Sequence, residues 1–279
     1  MRVLAGISSS YLKNKGELEK LLQFEPEVVE FYNYKSSEIP RLRYFTRDHH
    51  VRLTLHNPVP FDRPYPLTRF CPSGPNPEEL EDAVQTTCAT LECAAELEAL
   101  YVVVHYPTPY VRSEASIAEE TIHAFFDPVC RRAESLGVDV ALENLSAHPS
   151  FYLAEHYQSL RKWYPSLRFC LDLGHAHLLS SFAPLGNFIE VLSDAIVGCH
   201  VYNTTQLRYG RYGHEPLLPS AQSVEDGWID LSEVETLLSR CGELKALILE
   251  IDESEAIDTD AARHEFLKFV KRINDQGGK

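Results

Sequence analysis

Eight short apolar, β-rich runs recur along the 279 residues, and the segments between them can each hold a helix. No Gly-rich phosphate loop follows the first run, which reads GISSSY with neither GxGxxG nor GxxxxGK[ST]. No Ser/Gly-rich linker or low-complexity tract divides the chain. Together these observations predict an α/β fold, a single closed (β/α)8 TIM barrel over residues 1–279, rather than an open doubly wound sheet. Barrels of that kind take roughly 250 residues.

The runs are Arg2–Ser8, Val28–Tyr32, Val51–Asn57, Tyr101–Tyr106, Val138–Asn144, Arg168–Gly174, Ile196–Tyr202 and Lys245–Ile251. The first has too short an apolar stretch for a signal peptide and reads as a strand. Between the third and fourth, Asn76-Pro77-Glu78-Glu79 supplies an N-cap, a Pro at N1 and an early acidic residue. Leu80, Val84, Cys88, Leu91 and Ala95 then follow at helical spacing. Before the eighth run, Asp230 and Glu233 form a capping-box pattern ahead of Val234, Leu237 and Leu238.

A hydrophobic content of 44% with 24% charged residues is that of a globular chain, and excludes a disordered tail or a collagen-like repeat. No apolar run approaches the roughly 18–20 residues of a membrane span. Lys and Arg total 26 against 41 Asp and Glu, a net charge of −15, so nucleic acid is repelled at long range and its binding would need a local basic patch. The 7 cysteines are odd in number and form no CxxC pair, which suits reduced thiols in a cytoplasmic protein.

The chemistry lies in how six of the runs end. VRLTLH ends at His56, VVVH at His105, VALE at Glu143, RFCLD at Asp172 with His175 just beyond, VGCH at His200 and LILE at Glu250. Barrel active sites form at the C-terminal ends of the strands. Strand alternation places Thr54, Ala141, Cys170, Gly198 and Ile248 on the same inward face, while Leu53, Leu55, Val140 and Leu142 point out to the helices. A single His or Glu at a strand end is an ordinary rim residue. Two Glu and an Asp converging on one mouth repel unless a cation sits among them. Such a donor set suits Zn2+ or Mn2+.

This pattern resembles the xylose isomerase-like TIM-barrel superfamily, in both its sugar isomerase/epimerase branch and its endonuclease IV branch. In the first branch one metal is held by Glu, Asp, His and Glu, which match Glu143, Asp172, His200 and Glu250. GWIDL (Gly227–Leu231) resembles that branch's Gly-x-Ile-Asp turn, and EVVEFYN its second strand, with Glu30 as the acidic residue. The resemblance implies a metal-dependent sugar or sugar-phosphate isomerase/epimerase, in which Glu143 and Glu250 move a proton through a metal-stabilised enediolate. LHNP, VHYP, ENLSA, LDLGH and LEID are also similar to endonuclease IV segments. That likeness implies a multi-zinc phosphodiesterase, with His56, His105 and Glu143 on one metal, Glu143, Asp172, His200 and Glu250 on a second, and His175 and His214 on a third. Tyr212 stands where that family has the third metal's Asp, and GISSSY lacks its His-x-Ser segment. The acidic charge and the missing Asp favour the isomerase reading; the two extra histidines favour more than one metal. A non-catalytic metal- or metabolite-binding barrel is the third alternative.

Arg208 and Arg211 are candidates for a substrate phosphate or carboxylate, and Trp228, Tyr106 and Tyr110 for a sugar face. The Pro- and aromatic-rich segment Phe61–Asn76 is placed to overhang the same mouth. His177 is read as a supporting residue rather than a ligand. The expected partner is a small sugar or sugar phosphate, with a homodimer compatible with the fold.

Overall fold

The structure, a computed structural model, describes residues 2–63, 70–107, 116–145, 151–179, 185–252 and 258–277. Its strands are β1 (Leu4–Ser8), β2 (Val28–Tyr32), β3 (Arg52–His56), β4 (Val102–His105), β5 (Val140–Glu143), β6 (Arg168–Asp172), β7 (Ile196–Val201) and β8 (Ala246–Leu249). All neighbours pair in parallel and β8 closes on β1, so the chain forms a (β/α)8 barrel. Each strand lies inside the run predicted for it, trimmed by a residue or more at most ends.

The helices are α1 (Ile39–Asp48), α2 (Pro77–Leu97), α3 (Glu119–Leu136), α4 (Ala154–Trp163), α5 (Leu173–Leu178), α6 (Leu185–Leu192), α7 (Tyr209–Tyr212), α8 (Leu231–Leu238) and α9 (Thr259–Gly277). Asn76 caps α2 by accepting from the Glu78 amide at 3.0 Å, and Asp230 caps α8 by accepting from Ser232 and Glu233. The β1–β2 connection differs from the expected strand–helix unit. It is a 3-10 segment, Leu18–Phe24, whose buried residues Leu18, Leu21 and Phe24 recur every third position. That spacing matches 3.0 residues per turn, so the tighter helix lines all three side chains up directly above one another.

Two apolar layers result. Outside the strands, Leu53, Leu55, Val140 and Leu142 join the large cluster shared with the helices. Inside the barrel, Val28, Tyr101, Val103, Ala141, Cys170, Val197, Ala246 and Ile248 form a smaller one. The inward placement expected for Ala141, Cys170 and Ile248 holds. Small residues are required there because Tyr101 fills the lumen: a Cβ on Gly198 would stand 2.4 Å from its hydroxyl oxygen. No described helix is long and apolar enough to cross a membrane.

Gly198→Ala is therefore expected to overpack the lumen and cost about 1–3 kcal/mol. Urea unfolding measures it; an unchanged midpoint would mean that Tyr101 has room to move.

Candidate metal centre

The closed sheet brings the strand-end residues together. Register pairs His105 with Glu143 across β4 and β5, and Asp172 with His200 across β6 and β7. Glu143 lies at the focus. Its Oε2 is 3.1 Å from Nε2 of His56, 3.1 Å from Nε2 of His105 and 3.5 Å from Nδ1 of His200. Its Oε1 is 3.6 Å from Nδ1 of His175. Glu250 approaches the same Nδ1 of His200 at 3.2 Å, and Nδ1 of His214 stands 4.0 Å from the Glu250 carboxylate.

Among the described residues three groups of donors are close enough to share an ion: His56–His105–Glu143, Glu143–Asp172–His175 and Asp172–His200–Glu250. Glu143 belongs to two of them and Asp172 to two, so they form one continuous cluster. His214 belongs to none.

Hydrogen bonds outside the cluster aim its members. Nδ1 of His56 is 3.1 Å from the Asn57 carbonyl, which can only accept, so Nδ1 carries the proton and Nε2 faces Glu143. Asn57 is itself tied to α2 through Thr87 and Thr90. Asn144, fully buried, spans two strands: its Nδ2 donates to the Asp172 carbonyl at 2.9 Å and its Oδ1 accepts from the Asp172 amide at 2.8 Å. Asp172 uses Oδ1 to cap α5, accepting from the His175 amide at 2.7 Å. Glu30, buried on β2, places Oε1 3.0 Å from Nε2 of His200 while its Oε2 accepts from Thr54. A carboxylate behind a ligating imidazole fixes the ring's orientation and basicity. The supporting bonds of Asn144 and of the inward-facing Thr54 escaped the sequence reading, although the Glu-Asn pair ending β5 was a visible signal.

The charges are strongly coupled. Burial alone would raise the Glu143 carboxyl, but the imidazoles of His105 and His200 hold it well below the usual carboxylate range. Burial alone would lower the histidines, yet Glu143 raises His56, and Glu30, Glu250 and Glu143 help raise His200 well above its ordinary value. His175 is raised to about 9, with burial opposed chiefly by Asp172. Within this cluster Oδ2 of Asp172 and both ring nitrogens of His200 are fully buried and, among the described residues, have no hydrogen-bond partner. Buried polar atoms are nearly always satisfied. An orphaned carboxylate oxygen and an orphaned ring nitrogen on one cavity fit a divalent cation of N/O preference. His175 fits less freely, because Nδ1 meets the Asn144 carbonyl and Nε2 the Tyr209 hydroxyl, each at 3.1 Å.

Arg208, Arg211 and Trp228 lie in the excursion after β7. Arg208 is engaged by Glu215 through two bonds of 2.7 Å, and its guanidinium stacks on Tyr212 and Trp228. Arg211 is exposed beside the Tyr212 ring. Trp228 is buried, 8% exposed, under Arg208. Asn203 ties the excursion at its base, pairing with Glu215, bonding Gln222 through Nδ2 and accepting the Ile229 amide on Oδ1. Tyr106 is fully buried among Phe125, Phe126 and Phe151, a core position. His177 bonds the Gly227 carbonyl at 2.8 Å. Tyr110 and residues 64–69 of the predicted overhang lie outside the described residues.

The model of the xylose isomerase-like TIM-barrel family matches residues 21–271, and the chain belongs to that family. Among solved structures it is similar to a D-tagatose 3-epimerase-like protein, at 19% identity and a TM-score of 0.75, with 98% of this chain and 99% of that one covered. It is also similar to an L-ribulose 3-epimerase, at 14% identity and a TM-score of 0.74 over 99% and 96% of the two chains. A third likeness is to the IOLI protein with a bound zinc atom, at 16% identity and a TM-score of 0.64 over 99% and 98%. At these identities the likeness is one of fold. No curated protein sequence matches the chain.

Two outcomes are expected. His175, raised to about 9, holds a proton at neutral pH and must lose it to ligate, so apparent Zn2+ affinity should climb as pH rises from 6.5 toward that value. Chelator competition across that range reads it; a flat profile would contradict the protonated cluster. Asn144→Ala frees Asp172 from β5 and should weaken metal binding about 10–100-fold, measured by the same titration.

Proposed function

We propose that the protein is a divalent-metal-dependent isomerase or epimerase of a small sugar or sugar phosphate, acting by proton transfer through an enediolate. The observation that carries this reading is that two carboxylates from well-separated strands reach one ring nitrogen: Glu143, ending β5, and Glu250, just past β8, lie 3.5 and 3.2 Å from Nδ1 of His200. A substrate over His200 would offer one face to each. Held by Glu143, Asp172, His200 and Glu250, a Mn2+ or Zn2+ ion would supply Lewis-acid polarisation of a carbonyl and its neighbouring hydroxyl. Glu143, kept ionised by its imidazoles, takes the proton from the carbon beside the carbonyl, and Glu250 returns one from the other face. Arg211, exposed beside the mouth, is the arginine of the excursion with a guanidinium free of Glu215, while Arg208 and Trp228 shape the surface next to it.

One observation favours a second reading, a phosphodiesterase of the multi-metal type. His56 and His105 both stand 3.1 Å from the Glu143 oxygen, which gives that carboxylate a second donor group that a one-metal isomerase does not need. A pair of ions sharing Glu143 would supply water activation and a clamp for a phosphodiester. In the isomerase reading the same two histidines hold Glu143 ionised and contact substrate hydroxyls.

Metal content of protein purified without chelator separates the two. About one ion per chain with ketose isomerase or epimerase activity supports the first; two or three zincs with cleavage of abasic-site DNA or small phosphodiesters would replace it. Glu250→Gln should lower turnover about 10²–10⁴-fold. Wild-type turnover in that variant would remove Glu250 from the proton path.

A further inference from the structure

Lys15 lies outside the donor cluster, on the same face of the barrel. It follows β1 in the connection that starts at the strand's C-terminal end, and its Nζ donates to the Ser9 carbonyl at 2.8 Å. The ammonium stands over the rings of Tyr32 and Tyr34, 5.7 and 5.2 Å from their centroids. Tyr32 in turn meets the His56 ring edge-on at 4.9 Å, so one aromatic ring separates the ammonium from the metal donors.

A largely buried ammonium ordinarily has a carboxylate against it. The acid that acts on Lys15 is Glu38, and it is occupied elsewhere: Oε2 accepts the Lys35 amide at 3.0 Å and Oε1 is 3.9 Å from Arg41. Of three N–H donors, one is spent on a neutral carbonyl and the rings contribute a cation–π attraction. Burial pushes the ammonium down to about 8, so it is still mostly charged at neutral pH and gains stability from an anion. Across the mouth, Arg208 is already neutralised by Glu215.

We propose that Lys15 binds an anionic group of the substrate, a phosphate or a carboxylate, held beyond Tyr32 from the metal donors. The inference rests on the sugar or sugar-phosphate reading and narrows it to acidic substrates. A negative tail on Lys15 would fix which end of the molecule reaches Glu143 and Glu250 and orient it along the line from Tyr32 to His56. Tyr32 then serves as the spacer that keeps the tail clear of the carboxylates.

The test is lysine-by-lysine labelling of the full-length, metal-loaded wild-type protein with trinitrobenzenesulfonate at pH 8, read by peptide mass. Inorganic phosphate or acetate should slow labelling of Lys15 by about fivefold or more while the exposed Lys13 is unaffected. Protection by phosphate alone assigns a phosphoryl group; equal protection by acetate assigns a carboxylate. Absence of protection by either anion overturns the proposal, as does protection that vanishes once the metal is chelated, since the anion would then sit on the metal. The readout needs no turnover, so it stands apart from any failure of the isomerase reading. In calorimetry with inorganic phosphate, Lys15→Met should lose about tenfold in affinity and Lys15→Arg should retain it. Equal affinities in wild type and Lys15→Met would count against the proposal; if Lys15→Met does not fold, the wild-type protection decides.

Discussion

The site is organised by one buried negative charge, the Glu143 carboxylate, standing within reach of His56, His105, His175 and His200. Leaving such a charge without its partners costs several kcal/mol, of the order of 3–5. The geometry of the barrel mouth can be read as the set of devices that avoids that cost. Closure of the sheet brings β3, β4, β6 and β7 around β5, and Asn57, Asn144 and Glu30 hold the rings and strands in the required orientation. Imidazoles raised by the surrounding carboxylates let the cluster carry counter-charge as protons. A metal ion would exchange with those protons, so metal loading and pH are two settings of one electrostatic balance.

Much of the fold was legible because the barrel repeats one instruction eight times. Each run shows its strand, and the alternation of small or polar inward residues with aliphatic outward ones survives folding, as Ala141, Cys170 and Ile248 show. The first connection was not legible in the same way. The segment between Ser8 and Val28 was read only as able to hold a helix, and it forms a 3-10 turn series through Leu18, Leu21 and Phe24. Of the candidate site, strand-end donors could be listed from sequence because the fold fixes where strand ends go. What could not be read were partners distant in the chain: the bond from Asn144 to Asp172, the contact from Glu30 to His200, and Tyr32 standing between Lys15 and His56. Nothing local in the sequence reveals, either, that Glu215 holds the Nε–Nη2 edge of the Arg208 guanidinium.

In the proposed reading, catalytic reach and specificity fall to different parts of the chain. The groups proposed to move protons and hold a metal sit at the ends of closed strands, where a displacement would disturb the neighbouring ladders. Arg208, Arg211 and His214 sit on the excursion after β7, and Lys15 on the connection after β1. A barrel of this family can thus keep one reaction centre while its surroundings choose the molecule.

The tie at Asn203 gives that separation a further meaning. Its backbone pairs with Glu215, its amide bonds Gln222 and its carbonyl oxygen receives the Ile229 amide, so both ends of the excursion meet at one buried residue. A loop closed at its neck behaves as an insert with a fixed footprint. Its interior can lengthen, shorten or change composition without altering the span that β7 and α8 must bridge. The neck is a natural exchange point: grafting a different sequence between Asn203 and Ile229 would re-dress the mouth of the barrel and leave the metal-binding strands as they are.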